Sequence, residues 1–431
     1  MKKAVVLGAY GFIGAACVRA LQADGYAVCG VGRSLESAKK IFPDLVWIIR
    51  DISQTLESDW KELLGDADVV VNASGALQDG TRDNLNAIHV GAVERIVSAL
   101  SGTHATFVQI SAAGVSDDAP TAFFRTKAHG DAVVMASATN WIILRPVLVL
   151  GSEAYGGSAL LRASAATPCI GGRVFADAPI QTIHVDDLAA AVAHAAGGKL
   201  GTHFVADLGE TETHTFAELT HRIRSWLGYP KWSAEIEIPE WLLRLVGTGA
   251  DLLGWLGWRS PLRTNALRSL KSGITGDPSH WQERGGLAVR SLEETLAAIP
   301  ATAQERTFSR MYLLLPLAIG CLSVFWLLSG LIGILSFENA KSVLTERNVS
   351  SGIAAVAVIG GIVADLVLGA AVLVRRWSRK ACAGMILVSG AYLLFGSWLA
   401  ADLWSDPLGP FVKVLPAILL AVFVAFLLED R

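Results

Sequence analysis

The charge-free runs behind Arg310 constrain this chain more than any other feature. Met311–Ser336 and Ala381–Ala401 contain no Asp, Glu, Lys or Arg. Val349–Val374 has only Asp365, and Leu408–Leu428 only Lys413. Each run reaches the ~20 residues a helix needs to cross ~30 Å of hydrocarbon. Four buried helices of a water-soluble domain would carry polar faces, and these runs do not. Residues 311–431 are therefore expected to form an all-α four-helix transmembrane bundle, joined through a linker at 301–310. The bundle explains a mean hydropathy of +0.45 with only 17% charged residues. Asp365, a carboxylate inside a span, is a candidate functional group, or else a structural carboxyl bonded to a serine or backbone of another span.

The remaining 1–300 are of another character. Short Val- and Ile-rich runs alternate with helical patterns. Strands are predicted at Ala4–Leu7, Ala27–Val31, Val46–Ile49, Val69–Asn72, Thr106–Ile110 and Trp141–Leu144, and helices at Ile13–Ala23 and Ala87–Leu100 among others. Strands without strict alternation are buried on both faces, which implies a doubly wound parallel sheet. The opening Met1-Lys2-Lys3 and apolar run could imitate a signal peptide, but a strand entering a glycine turn explains the same residues. Net charge is −3, so no nucleic-acid partner is expected. The five cysteines (Cys17, Cys29, Cys169, Cys321, Cys382) are scattered. They suggest no disulfide framework and no metal site, and each is read as a buried small hydrophobe in a reducing cytoplasm. None of the nine histidines lies beyond His280, which leaves no pair for a haem in the bundle.

The first strand runs into Gly8-Ala9-Tyr10-Gly11-Phe12-Ile13-Gly14. Gly8 permits a tight turn, Gly11 lets backbone approach a pyrophosphate, and Gly14 lets the next helix pack closely. The second strand ends at Arg33, where an acidic residue would bond a ribose 2′-hydroxyl. The guanidinium suits a 2′-phosphate instead, so NADP(H) is expected over NAD(H).

With these features, Asp51-Ile52, Asn72-Ala73-Ser74-Gly75, Gln109-Ile110-Ser111-Ala112-Ala113, Lys127, Leu144–Gly151 and Ile183–Ala189 follow in order. Residues 1–300 thereby resemble an extended or atypical short-chain dehydrogenase/reductase of the epimerase/dehydratase type. The resemblance implies a Rossmann fold with a small substrate lobe from about 151–180 and 205–300. It places Asp51 and Ile52 near the adenine, and Ala73, Ser74 and Gly75 along the cofactor. Pro146 and Val149 would lie near the nicotinamide, with Tyr10, Phe12 and Ile13 in the phosphate turn. A homodimer is implied by resemblance only.

The family's acid/base set is a serine, a tyrosine and a lysine. Ser111 and Lys127 match it, but the tyrosine position is Phe123, which has no exchangeable proton. Tyr155 or His89 could substitute, and Lys127 could still bond the ribose. The expected function is a membrane-anchored oxidoreductase or epimerase acting on a small-molecule, lipid-linked or quinone-like substrate. The alternative is a non-catalytic NADPH sensor or assembly factor of a membrane redox complex, like the accessory nucleotide-binding subunit of respiratory complex I, which the chain resembles. His184 with Asp186-Asp187 reads as a strand end and helix cap.

Trp232, Trp241, Trp255 and Trp258, interleaved with Arg244, Arg259, Arg263 and Arg268, suit a helix on a membrane surface or a lid over the substrate cleft. The membrane part resembles the DoxX-like family, helped by Phe325–Ile332. This implies bacterial redox chemistry at the cell inner membrane. Arg306 and Arg310 precede the first span, and Arg375, Arg376, Arg379 and Lys380 separate the second from the third. The loop with Glu338, Lys341, Glu346 and Arg347 is mixed in charge, and the loop with Asp402 and Asp406 is acidic. By the positive-inside rule both termini and residues 1–300 are cytoplasmic.

Overall fold

In the computed structural model residues 1–80, 83–258, 260, 262–407 and 409–428 are described. Arg259 and Leu408, used in the sequence reading, lie outside them. The chain forms two compact units, Met1–Asp251 with Ser260–Ser309, and Leu252–Arg259 with Arg310–Arg431.

β1 (Lys3–Leu7) shows why the first unit folds as a three-layer α/β domain. Successive side chains of a strand point to opposite faces. Ala4 and Val6 enter one core, with Cys17, Val18 and Leu21 of α1 (Phe12–Ala23) and the helix Val185–Ala196. Val5 and Leu7 enter the other, with Trp60, Leu64, Ile96 and Leu100. With neither face left to water, none of Ala4–Leu7 tolerates charge, and only Lys3 at the exposed start carries one. β2 (Ala27–Gly32), β3 (Val46–Ile49), β4 (Val69–Asn72), β5 (Thr106–Ile110) and β6 (Asn140–Pro146) complete the predicted set. The order is seventh strand–β6–β5–β4–β1–β2–β3, and every pairing is parallel. The order reverses between β1 and β4, which opens a crevice at their carboxyl ends.

Two expectations change here. The seventh strand is Phe204–Leu208, paired with β6, so residues assigned to the lobe belong to the main sheet. Its Val/Ala-Asp-Leu sequence is too short and mixed to stand out as a strand by pattern. The helix predicted over Ala87–Leu100 is a π-turn at Ala87–Gly91 followed by an α-helix at Ala92–Ala99. The lobe has its own core, in which Leu161 and Ala165 meet Leu219, Ile223 and Leu227. Trp232 is an internal strut of this lobe: its indole donates to Thr167 O at 2.9 Å, and Arg224 stacks 4.3 Å from its ring centre.

Among the described residues three helices are long and apolar enough to cross a membrane: Ala303–Leu335, Ser351–Ala371 and Arg375–Leu399. The fourth run yields a helix of only 14 residues, Val414–Leu427. That is about 21 Å at 1.5 Å per residue. Gly409 at φ +57° and Pro410 delay its start. Asp365 accepts a hydrogen bond from Ser329 Oγ of the neighbouring helix at 2.6 Å, and Ser323 Oγ donates to Gly369 O at 2.8 Å. Asp365 thus takes the structural partner foreseen as its alternative. Arg347 pairs with Asp402 at 2.7 Å, bringing the first and third inter-helix loops to one end. The Arg375 corner lies a 21-residue helix away from Arg347.

At that corner Arg375 N–H donates to Leu256 O at 3.0 Å and the Trp258 indole donates to Leu373 O at 2.6 Å. The segment Leu252–Arg259 is thereby packed into the membrane unit, although residues 260–309 separate it in sequence from the rest of that unit. Its Trp255 side is 74% exposed. The reading of all five cysteines as buried holds for Cys17 and Cys382 and is corrected at the others: Cys29 is half-buried, and Cys169 and Cys321 are exposed. Cys169 sits at positive φ in a turn, and Cys321 lies on an exposed side of the helix Ala303–Leu335.

A Cβ at Gly14 would lie 2.2 Å from the carbonyl oxygen of Gly8. Gly14→Ala should therefore destabilise the first unit by about 1–3 kcal/mol, the usual cost of overpacking. Denaturant unfolding followed by circular dichroism checks this.

Candidate functional site: a dinucleotide crevice

The crevice begins where β1 gives way to α1. Gly8 has φ +72°, and a Cβ there would meet Ser74 Cα at 2.9 Å and Ala73 O at 3.0 Å. The turns after β1 and β4 therefore touch through a glycine. Gly11 donates its N–H to Gly8 O at 2.9 Å and caps α1 without a side-chain hydrogen bond. The first amides of α1 are left facing the crevice, an arrangement that suits a diphosphate. The opposite wall is shaped by Asn72. It donates to Gln109 Oε1 at 2.8 Å and accepts from Ser74 N at 3.2 Å and from the Ser74 hydroxyl. These side-chain bonds fold Ala73-Ser74-Gly75 away from the sheet. A backbone cradle that any Cβ would fill fits a dinucleotide.

At the carboxyl end of β2, the Tyr10 ring lies against Gly32, where a Cβ would come within 2.2 Å of it. Its hydroxyl accepts from Arg33 N–H at 3.1 Å. The Arg33 guanidinium pairs with Asp83 at 2.7 Å. Asp51 accepts from Ser53 N–H at 3.0 Å and from Ser53 Oγ at 2.7 Å. Ile52 is 8% exposed and packs into the sheet core, so it offers backbone rather than side chain to the crevice. Phe12 packs beside Gly151, and Ile13 leans on the core. Pro146 O accepts from Ala113 N–H at 2.9 Å, and Val149 pairs with Ile183 on a short second sheet.

The other end is built on the helix Ala122–Met135, capped by Thr121. Phe123, Lys127 and Asp131 recur every four residues and share one face. Lys127 is 6% exposed and donates to Ile110 O at 2.9 Å. Burial pulls its pKa down to about 8, with Asp131 opposing. A Cβ at Gly75 would stand 3.6 Å from Lys127 Nζ and 3.5 Å from His89 Nε2, so three predicted or considered residues converge there.

The π-turn aims His89 inward, 2% exposed. Its Nε2 accepts from Ala76 N–H at 3.3 Å. Its Nδ1 lies 2.9 Å from Thr126 Oγ1, whose hydroxyl donates to Phe123 O at 3.1 Å. This network assigns the proton to Nδ1. Burial, then the Lys127 charge, lowers the His89 pKa to about 3. The Phe123 ring meets His89 edge-on at 5.6 Å.

Ser111 takes a different direction. Its hydroxyl donates to Asp131 Oδ2 at 2.9 Å, and Arg145 holds the same carboxylate from Nε and Nη2 at 2.9 Å each. Burial raises the Asp131 pKa, and Arg145 opposes the rise. The Asp131–Arg145 pair escaped sequence reasoning. The four-residue step from Lys127 was the signal that could have found it. Tyr155 is a 55% exposed loop aromatic. His184 Nδ1 accepts from Asp186 N–H at 3.1 Å as a helix cap, and Asp187 pairs with Arg290 at 2.6 Å.

Residues 8–197 match the NAD(P)H-binding family, and residues 323–422 match the DoxX-like family. The chain joins an NAD(P)H-binding Rossmann domain to a DoxX-like membrane domain. The chain is 26% identical over 248 residues to the mitochondrial NADH dehydrogenase [ubiquinone] 1 alpha subcomplex subunit 9 of Arabidopsis thaliana, covering 53% of this chain and 60% of that one. The Dictyostelium discoideum protein of the same name is 28% identical over 154 residues, covering 35% and 43%. The match therefore spans less than two thirds of either relative.

Among solved structures, the Bordetella bronchiseptica enzyme WbmH in complex with NAD+ is similar, with a TM-score of 0.52 and 19% identity over 69% of this chain and 97% of WbmH. A mutant of the Bacillus cereus UDP-glucuronic acid 4-epimerase, solved with a fluorinated UDP-glucuronic acid and NAD, has a TM-score of 0.52 and 17% identity over 72% and 99%. At these identities the likeness is one of fold: the first unit shares the Rossmann fold of these two structures.

The depressed His89 pKa has a consequence for stability. Between pH 6.5 and about 3 the unfolded chain binds a proton that the folded chain refuses. The contribution of His89 is fully present above pH 6.5 and is lost as pH falls through that window. His89→Gln should flatten the acid limb of a denaturation-midpoint against pH curve.

Proposed function

We propose that this chain is a membrane-tethered NADP(H)-binding protein whose dinucleotide is held as a sensed or structural ligand of a membrane redox assembly. A bound nicotinamide dinucleotide can supply a hydride; what this chain's residues offer beside it decides the reading. The observation that carries it is Phe123. The ring stands where a phenol is needed as acid, and its neighbour His89 turns an acceptor nitrogen toward Ala76 N–H. The Ser111 hydroxyl donates to Asp131. The likeness to a named subunit of an NADH dehydrogenase supports association with a membrane complex.

On this reading the Gly8–Gly14 turn holds the diphosphate and Gly75 borders the nicotinamide. Asp51 with the Ile52 backbone faces the adenine, Arg33 takes a 2′-phosphate, and Lys127 bonds the ribose. Residues 311–431 form four spans, with Val414–Leu427 as the shortened last one. The basic Arg375–Lys380 corner is cytoplasmic, and so are both termini. Trp255 and Trp258 sit at the headgroup level beside that corner.

A second reading, an oxidoreductase or epimerase acting on a lipid-linked or quinone-like substrate, draws on Lys127. With a pKa near 8, its ammonium is a proton source beside Gly75. Phe123→Tyr separates the two readings. NADPH consumption that arises only in the variant supports the binding role, whereas turnover by the unaltered chain that disappears in Lys127→Met supports the enzyme.

Cofactor choice has its own measurement. The full chain should bind NADPH more tightly than NADH by fluorescence titration, and Arg33→Ala should narrow that difference. Equal affinities that the substitution leaves untouched would defeat the NADP(H) assignment.

A further inference from the structure

The Arg33 guanidinium lies at the end of β2, beside the turn that cradles the diphosphate, and it is already engaged. Its Nη1 donates to Asp83 Oδ1 at 2.7 Å. The Asp83 side chain is 16% exposed and that of Arg33 41%. Many surface ion pairs are chance meetings of long side chains and count for little. This one is built. Asp83 has a short side chain, so its position follows the backbone of the loop after β4.

That loop is closed at three levels. Leu85 is buried at its base, and its N–H donates to Asp79 Oδ1 at 2.8 Å. Gly80 N–H donates to Asp83 O at 2.9 Å, drawing the two arms together. Arg263 Nη1 donates to Asp79 O at 3.2 Å, holding the loop from the lobe side. The bonds among Asp79, Gly80, Asp83 and Leu85 thus present the carboxylate to Arg33.

We infer that Asp83 is a specificity-determining residue that competes with a cofactor 2′-phosphate for Arg33, so the pair sets how strongly this site prefers NADP(H). The inference rests on the NADP(H) reading given above. A 2′-phosphate placed on Arg33 meets a carboxylate of like charge at the same guanidinium, so it must share or displace that partner. NADH brings only a neutral hydroxyl to this position. Asp83 therefore penalises one cofactor and not the other.

The test uses the full chain in nanodiscs, titrated with NADPH and separately with NADH. Asp83→Asn should tighten NADPH by about three- to tenfold, the scale of a partly exposed charge interaction. NADH should stay within about twofold of the unaltered chain. Asp83→Glu keeps the charge and should retain the weaker NADPH binding, separating charge from loop damage. In an Arg33→Ala background the NADPH gain from Asp83→Asn should shrink, because the contested guanidinium is gone.

An NADPH affinity that Asp83→Asn does not change overturns the inference. So does a parallel weakening of NADH, which would make Asp83 a ribose ligand instead. If Arg33→Ala alone leaves both affinities unchanged, the NADP(H) reading fails; if Arg33→Ala narrows the gap while Asp83→Asn is silent, only the role of Asp83 fails.

Discussion

The contact on which the first unit depends is between two glycines. Gly14 of α1 sits so close to the Gly8 carbonyl that no side-chain atom fits between them. That closeness brings the helix start against the end of β1, with its amides at the point where the strand order reverses. Had a larger residue stood at either position, the helix would be displaced and the crevice would lose both its floor and its partial positive charge. The same Gly8 touches the turn after β4, so one corner couples both walls of the crevice.

From this corner the crevice runs toward a chemistry end that is unusual in composition. Phe123, Lys127 and Asp131 stand on one helix face, but only the lysine and His89 approach Gly75. The aspartate instead joins Ser111 and Arg145 in a buried network behind them. Burial keeps His89 neutral and lowers the lysine, so the end is less charged than its residue names suggest.

The membrane unit obeys a different rule. Its helices have apolar surfaces all round, so their packing is marked by small residues and isolated polar bonds rather than by amphipathic faces. Ser329 with Asp365 and Ser323 with Gly369 are such bonds. The segment Leu252–Arg259 belongs to this unit through hydrogen bonds from Arg375 and Trp258. Trp258, one of the tryptophans that made it resemble an interfacial helix, helps seat it through its indole N–H, while Trp255 stays exposed.

Much of this was legible in the primary structure because it depends on short-range rules. Six parallel strands, the glycine turn, Arg33 at the end of β2, the helix cap at His184 and the long apolar helices follow from periodicity, backbone freedom and hydrocarbon thickness. The seventh strand was not, because a five-residue mixed segment becomes a strand only when β6 offers it an edge. The direction of the Ser111 hydroxyl, the neutrality of His89, the Arg33–Asp83 pair and the exposure of Cys169 and Cys321 were not legible either. They arise from residues far apart in the chain, and burial, hydrogen-bond direction and ion pairing take their values only once those residues meet. Sequence alone determined which backbone could approach a diphosphate and which runs could enter lipid. Tertiary structure decided which charges the site would feel, since electrostatics depends on distance and desolvation, and neither is a property of residue order.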